Sequence, residues 1–204
     1  MTKMKFCGLT RPCDMEAVNE IKPEYIGFVF AKKSKRYVTP QKAMELKKLL
    51  SPEILAVGVF VGEEPEVIAG LLENGTIDIA QLHGSEDEEY IRKLKAMTDK
   101  PIIKAIQVTD ESICAETKLP ACSVDYLLLD SGAGTGTTFD WNKIEKLCKP
   151  YFLAGGLSPD NVREAIELLH PYAVDVSSGI EEDGVKNKEK MAAFAAAVRK
   201  EERK

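Results

Sequence analysis

Short apolar runs alternate with amphipathic helical stretches along the whole chain, and few folds accommodate that rhythm. The runs that read as strands are Lys3–Cys7, Tyr25–Phe30, Leu55–Val61, Ile77–His83, Ile102–Ile106, Tyr126–Asp130, Tyr151–Ala154 and Ala173–Ser177. Helix signals fill the intervals at Asp14–Ile21, Pro40–Leu50, Pro65–Asn74, Asp87–Met97, Asp110–Thr117, Trp141–Cys148, Pro159–Leu169 and Lys188–Glu201. Thr39-Pro40 and Ser158-Pro159 each place a capping residue before a proline at the first helical position. Runs such as Leu55–Val61 are apolar on both faces, as expected of strands packed inward on barrel side chains and outward on helices. Strand-helix alternation of this kind with right-handed crossovers predicts an α/β fold, a single compact (β/α)8 TIM barrel spanning residues 1–204. A doubly wound open sheet is disfavoured, because no G-x-G-x-x-G fingerprint follows the first strand.

Composition narrows the function classes. With 204 residues and 44% hydrophobic content the chain can bury one full core, and no linker-like segment divides it. A net charge of −5 argues against nucleic acid or an anionic membrane as partner. The one basic cluster is Lys32-Lys33-Ser34-Lys35-Arg36. No apolar run reaches the roughly 18 residues of a membrane span, and no signal-peptide pattern opens the chain, so a cytoplasmic protein is expected. The five cysteines are odd in number and widely spaced, which fits reduced thiols better than disulfides or structural zinc. With two histidines and no H-x-x-x-H spacing, no metal site is expected.

In a barrel the C-terminal strand ends form the active face, so the residues there carry the functional argument. Gly155-Gly156, before a helix expected to open at Ser158-Pro159, and Ser177-Ser178-Gly179 follow strands seven and eight, the usual phosphate site of such barrels. Glycines let backbone N–H groups approach an anion closely; either motif alone could equally be a tight turn, and their joint placement favours phosphate. Cys7 ends strand one before Gly8, where a thiol can serve as base or nucleophile, both open on these grounds. Asp130 ends strand six, and burial there would favour the protonated form that donates a proton. The guanidinium fork of Arg36 suits a carboxylate better than the neighbouring lysines do. For His83 and Asp175, ligand contact and structural hydrogen bonding are equally open, while His170 reads as a surface helix cap.

Several motifs together carry a more specific signal. Lys5-Phe6-Cys7-Gly8-Leu9-Thr10, Lys33–Val38, Gln81-Leu82-His83-Gly84, Leu128-Leu129-Asp130, Gly134-Thr135-Gly136, Thr138–Trp141, Gly155-Gly156-Leu157 and Val174–Gly179 occur in this order. The ordered set resembles the phosphoribosylanthranilate isomerase family across essentially the whole chain. The resemblance implies a cofactor-free Amadori rearrangement of N-(5-phosphoribosyl)anthranilate in tryptophan biosynthesis. It implies Asp130 as general acid, Cys7 as general base and Arg36 as the anthranilate carboxylate's partner. His83 and Asp175 would contact substrate. Gly134, Thr135, Gly136, Gly155, Gly156, Ser177, Ser178 and Gly179 would hold the phosphate. The expected partner is thus a small phosphosugar, met by a monomer or homodimer. Thr137 stands where the family commonly has lysine and Asn187 where aspartate is usual, which bears on loop mobility and helix capping. A pentose phosphate epimerase would need metal-binding histidines and acids that are missing, and a non-catalytic phosphate-binding barrel would need neither Cys7 nor Asp130.

Overall fold

The computed structural model describes residues 1–107, 123–130 and 149–199. Eight parallel strands close into a barrel in sequence order, with the last pairing to the first. They are β1 Lys3–Cys7, β2 Tyr25–Val29, β3 Leu55–Phe60, β4 Ile79–Leu82, β5 Ile102–Gln107, β6 Tyr126–Asp130, β7 Tyr151–Ala154 and β8 Ala173–Val176. Each lies within the stretch expected from the sequence or overruns it by a single residue. The helices α1 Pro12–Ile21, α2 Pro40–Lys47, α3 Pro65–Glu73, α4 Glu88–Lys95, α5 Val162–Leu169 and α6 Lys188–Arg199 follow β1, β2, β3, β4, β7 and β8. The expected helices 110–117 and 141–148 lie outside the described residues.

Side chains alternate across a strand, and in a closed barrel that alternation separates two cores. Met4 and Phe6 of β1 face outward into the layer shared with the helices, where Phe6 meets Phe194 of α6 edge-on at 6.1 Å. Lumen-facing positions at the N-terminal end hold a second cluster that includes Tyr25, Val57, Ile79, Ile103, Leu128 and Phe152. Tyr25 and Tyr126 both pack edge-on against Phe152, at 5.4 and 5.7 Å, so this end is plugged by aromatic rings. Toward the C-terminal end the lumen-facing parity passes to Cys7, Gln81, His83, Asp130 and Asp175. Polarity therefore rises along the barrel axis, and the site sits at the polar end.

The helix starts follow from local chemistry, with one correction. Thr39 caps α2 as expected, its hydroxyl accepting from Lys42 N at 3.1 Å, a contact worth about 1 kcal/mol. Ser158 does not open α5. The Asn161 side chain accepts from Ser158 N at 2.8 Å and donates to Gly156 O at 3.0 Å, so Pro159–Asn161 stay in a turn and the helix begins at Val162. A side-chain amide offering the backbone such partners competes with the helix for the same groups. Asn187 caps α6 by accepting from Lys190 N at 2.9 Å, so the amide oxygen serves the capping role that the aspartate usual in the family could fill. His170 closes α5 in the left-handed conformation, φ 46°, and is exposed, as read from the sequence.

Candidate active site

A cleft of about 290 Å³ opens at the C-terminal ends of the strands. Cys7, Arg36, His83, Asp130, Gly155, Gly156, Asp175, Ser177 and Ser178 all line it, from six different strand ends and loops. Gly179 is not in the lining. A Cβ there would fall 2.0 Å from Leu157 O, so its bareness lets the loop after β8 pack against the loop after β7. Gly134, Thr135 and Gly136, like Thr137, lie outside the described residues.

Cys7 is placed by backbone pairing. It sits opposite Gly27 on β2, and a Cβ at Gly27 would fall 2.7 Å from Cys7 Sγ. Beneath the thiol, two positions back on the same lumen-facing side, lies Lys5, fully buried and paired to Asp175 Oδ2 at 2.8 Å. Burial works against the Lys5 ammonium, yet Asp175 and Cys7 outweigh it and hold its pKa above the ordinary lysine value. Burial pushes the Cys7 thiol up as well; Lys5 and Lys186 pull it back in part, and the negative charge of Asp175 adds to the rise. These surroundings favour Cys7 as the protonated thiol, with Lys5 and Lys186 placed to stabilise a thiolate.

Arg36 reaches the mouth because residue 8 is a glycine. A Cβ there would collide with Arg36 Cδ at 2.3 Å, and Gly8 also adopts φ +79°, which disfavours any other residue. The Arg36 fork is engaged by a protein carboxylate: Nε and Nη2 donate to Glu181 Oε1 and Oε2 at 2.6 and 2.7 Å. Glu181 belongs to a small hairpin, Glu181–Glu182 paired with Val185–Lys186, and its Oε1 also accepts from Lys186 Nζ at 2.6 Å. Burial would raise the Glu181 pKa, but the bonds from Arg36 and Lys186 outweigh it and keep the pKa below the usual carboxylate range. Lys186 Nζ donates further to Ser177 O and Oγ, and Ser177 Oγ donates to Cys7 O at 3.1 Å. One continuous network therefore joins Arg36, the Ser177 loop and the backbone carbonyl of Cys7.

On the opposite wall Asp130 Oδ2 lies 3.2 Å from His83 Nε2, and His83 Nδ1 lies 3.0 Å from Gln81 Nε2. Gly155 and Gly156, at φ 89° and 63°, bend the loop after β7 along the cleft so that backbone rather than side chains faces it. Lys5, Gln81, Glu181 and Lys186 had no assigned role in the sequence reading. For Lys5 and Gln81 a signal existed: each sits two residues before a named candidate, hence on the same lumen-facing side. Among the described residues no group of three or more His, Cys, Asp or Glu side chains could hold a metal, and no helix is long and apolar enough to cross a membrane.

The family model for N-(5'phosphoribosyl)anthranilate (PRA) isomerase matches residues 4–197. The chain belongs to this family. It is 45% identical over 207 residues to the N-(5'-phosphoribosyl)anthranilate isomerase of Clostridium acetobutylicum, covering 98% of this chain and 99% of that one. Among solved structures, the phosphoribosyl anthranilate isomerase of Thermus thermophilus superposes with a TM-score of 0.85 at 32% identity, covering 98% of this chain and 99% of that one. A further family member was solved in complex with reduced 1-(o-carboxyphenylamino)-1-deoxyribulose 5-phosphate; it matches at TM-score 0.80 and 34% identity, over 98% of this chain and all of that one. Family membership and the closed barrel expected from the sequence both hold.

Proposed function

We propose that this chain, as one barrel domain in the cytoplasm, isomerises N-(5'-phosphoribosyl)anthranilate in tryptophan biosynthesis, without a cofactor. The observation that carries the assignment of roles is the placement of Cys7 and Asp130 in one cleft with Gly155, Gly156, Ser177 and Ser178 beside them. Asp130 protonates the furanose ring oxygen; the C1–O bond breaks as the anilino nitrogen lone pair forms the C=N bond, giving a protonated Schiff base. Cys7 then removes the C2 proton; the C–H pair forms the C1=C2 bond as the C=N pair returns to nitrogen, giving an enolamine. Protonation of C1 with loss of the C2 hydroxyl proton yields the ketone. The protonated Schiff base is cationic, so its arrival beside Cys7 opposes the burial that keeps the thiol protonated. Lys5 and Lys186 add to that field.

The phosphate is held by the backbone and side chains around Gly155, Gly156, Ser177 and Ser178, with Gly179 closing the loop behind them; Gly134, Thr135 and Gly136 are assigned to the same role. This remote binding orients the reacting carbons. Arg36 takes the anthranilate carboxylate on the part of its fork not committed to Glu181, while His83 and Asp175 meet the sugar portion. All these residues come from one chain, so a monomer suffices and a homodimer would keep each cleft whole. Cys7→Ala and Asp130→Asn are expected each to abolish turnover, followed as the fluorescence loss of phosphoribosylanthranilate, while a reduced product analogue still binds. Substantial turnover in either variant would remove that residue from its role.

A further inference from the structure

Gln81 is buried in the cleft wall at 1% exposure, and its Oε1 has no hydrogen-bond partner among the described residues. Its Nε2 lies 3.0 Å from His83 Nδ1, and His83 Nε2 lies 3.2 Å from Asp130 Oδ2. An amide nitrogen is only a donor, so the ring nitrogen facing it must be the acceptor, and a neutral ring then carries its hydrogen on Nε2. The opposite amide orientation would put hydrogen on Nδ1 and turn the Nε2 lone pair toward the carboxylate. In the observed orientation Nε2–H is left to donate to Asp130 Oδ2, which accepts it both as a carboxylate and as a carboxyl with its proton on Oδ1.

We propose that Gln81 is a positioning residue that fixes His83 as the Nε2–H tautomer and thereby aims that hydrogen at Asp130. This rests on the reading of Asp130 as the general acid. His83 Nε2–H occupies Oδ2, which favours Oδ1 as the oxygen that carries the transferable proton. Once the proton has left, the same hydrogen bond stabilises the carboxylate formed. A ring in the wrong tautomer would present a lone pair to that carboxylate and oppose the step. Gln81 acts through His83 and Asp130, not by moving a proton itself.

The chain has only His83 and His170, and His170 is exposed, so nitrogen-15 spectra of the imidazoles resolve to two rings. At a pH where both rings are neutral, the His83 spectrum is expected to be that of the Nε2–H form, with a coupling across the hydrogen bond from Gln81 Nε2 to His83 Nδ1. Asp130→Ala should keep this tautomer, because Gln81 still holds the ring, and the double variant Gln81→Leu/Asp130→Ala should release it to a mixture. An Nδ1–H ring in the unmodified protein, or an unchanged ring in the double variant, would overturn the proposal. Gln81→Leu alone, with its fold checked by circular dichroism, should lower kcat about 10-fold with KM little changed, part of what general acid catalysis contributes. Undiminished kcat would likewise overturn it. Should Asp130→Asn prove active, the acid assignment fails, and the spectra still decide whether Gln81 holds the ring.

Discussion

With Cys7 as the proposed base, single atoms around it set where its thiol lies. Gly27 faces Cys7 across the β1–β2 pairing, and the space a methyl would fill is already within 2.7 Å of Sγ and 3.1 Å of Cys7 Cα. Its backbone is ordinary strand, so Gly27→Ala is sterically costly only because of what it meets. We expect the variant to fold while the thiol is pushed off its line to C2, and displacement of about 1 Å costs on the order of 100-fold in rate. Steady-state kinetics on folded Gly27→Ala checks this; unchanged kcat would mean that the thiol tolerates displacement. Cys7 and Asp130 were legible in the sequence because each ends an apolar run beside a turn. Lys5 and Gln81 obey the same alternation but look like the polar residues of a half-exposed strand, and only barrel closure turns their face inward. Gly27 carried no signal, since its meaning depends on a cysteine twenty residues away across the sheet.

Among the elements, the loops after β3 and β4 are held by one carboxylate. Glu86 accepts from Gly62 N and Gly84 N, at 2.8 and 2.9 Å, and from Lys104 Nζ of β5 at 2.8 Å. Burial would raise its pKa, but Lys104 and the Gly62 amide outweigh that and hold it below the ordinary glutamate value. A depressed folded pKa contributes stability that is fully present above the unfolded value near about 4.3 and is lost as pH falls through the folded one. Glu86→Gln is therefore expected to lose about 3 kcal/mol at neutral pH, because Lys104 is left without its charge partner, and to show a flatter acid limb. Urea midpoints followed from neutral pH downward compare the two proteins; parallel curves would show that the brace contributes nothing. Local signals placed most element boundaries well. The α5 start differs because Ser-Pro is a sound helix opening on its own, whereas the Asn161 side chain accepts from Ser158 N and donates to Gly156 O and so holds the intervening residues in a turn.

Across the whole molecule, the barrel was legible because its period repeats, so an error in one strand leaves the others to fix the closure. The hairpin that carries Glu181 and Lys186 was not, since two-residue strands have no period and their partners, Arg36 and Ser177, are fixed by tertiary approach alone. The barrel also separates the requirements of stability from those of chemistry. Phe152, fully buried, forms the centre of the aromatic plug at the N-terminal end, touched by Tyr25, Tyr126 and Tyr172 at centroid distances of 5.4, 5.7 and 5.8 Å. Lys3 Nζ and Tyr25 OH both meet Tyr172 OH, at 2.7 and 3.1 Å, which keeps the polar ends of the plug satisfied. Phe152→Ala would leave a cavity among rings that cannot collapse without breaking those bonds, and about 3–5 kcal/mol of stability should be lost. The cleft lies at the other end of the same strands, so kcat of the fraction that remains folded should change little. Urea unfolding together with turnover below the transition checks both halves of the prediction; a large loss of kcat with stability intact would mean that packing at the two ends of the barrel is coupled through the lumen.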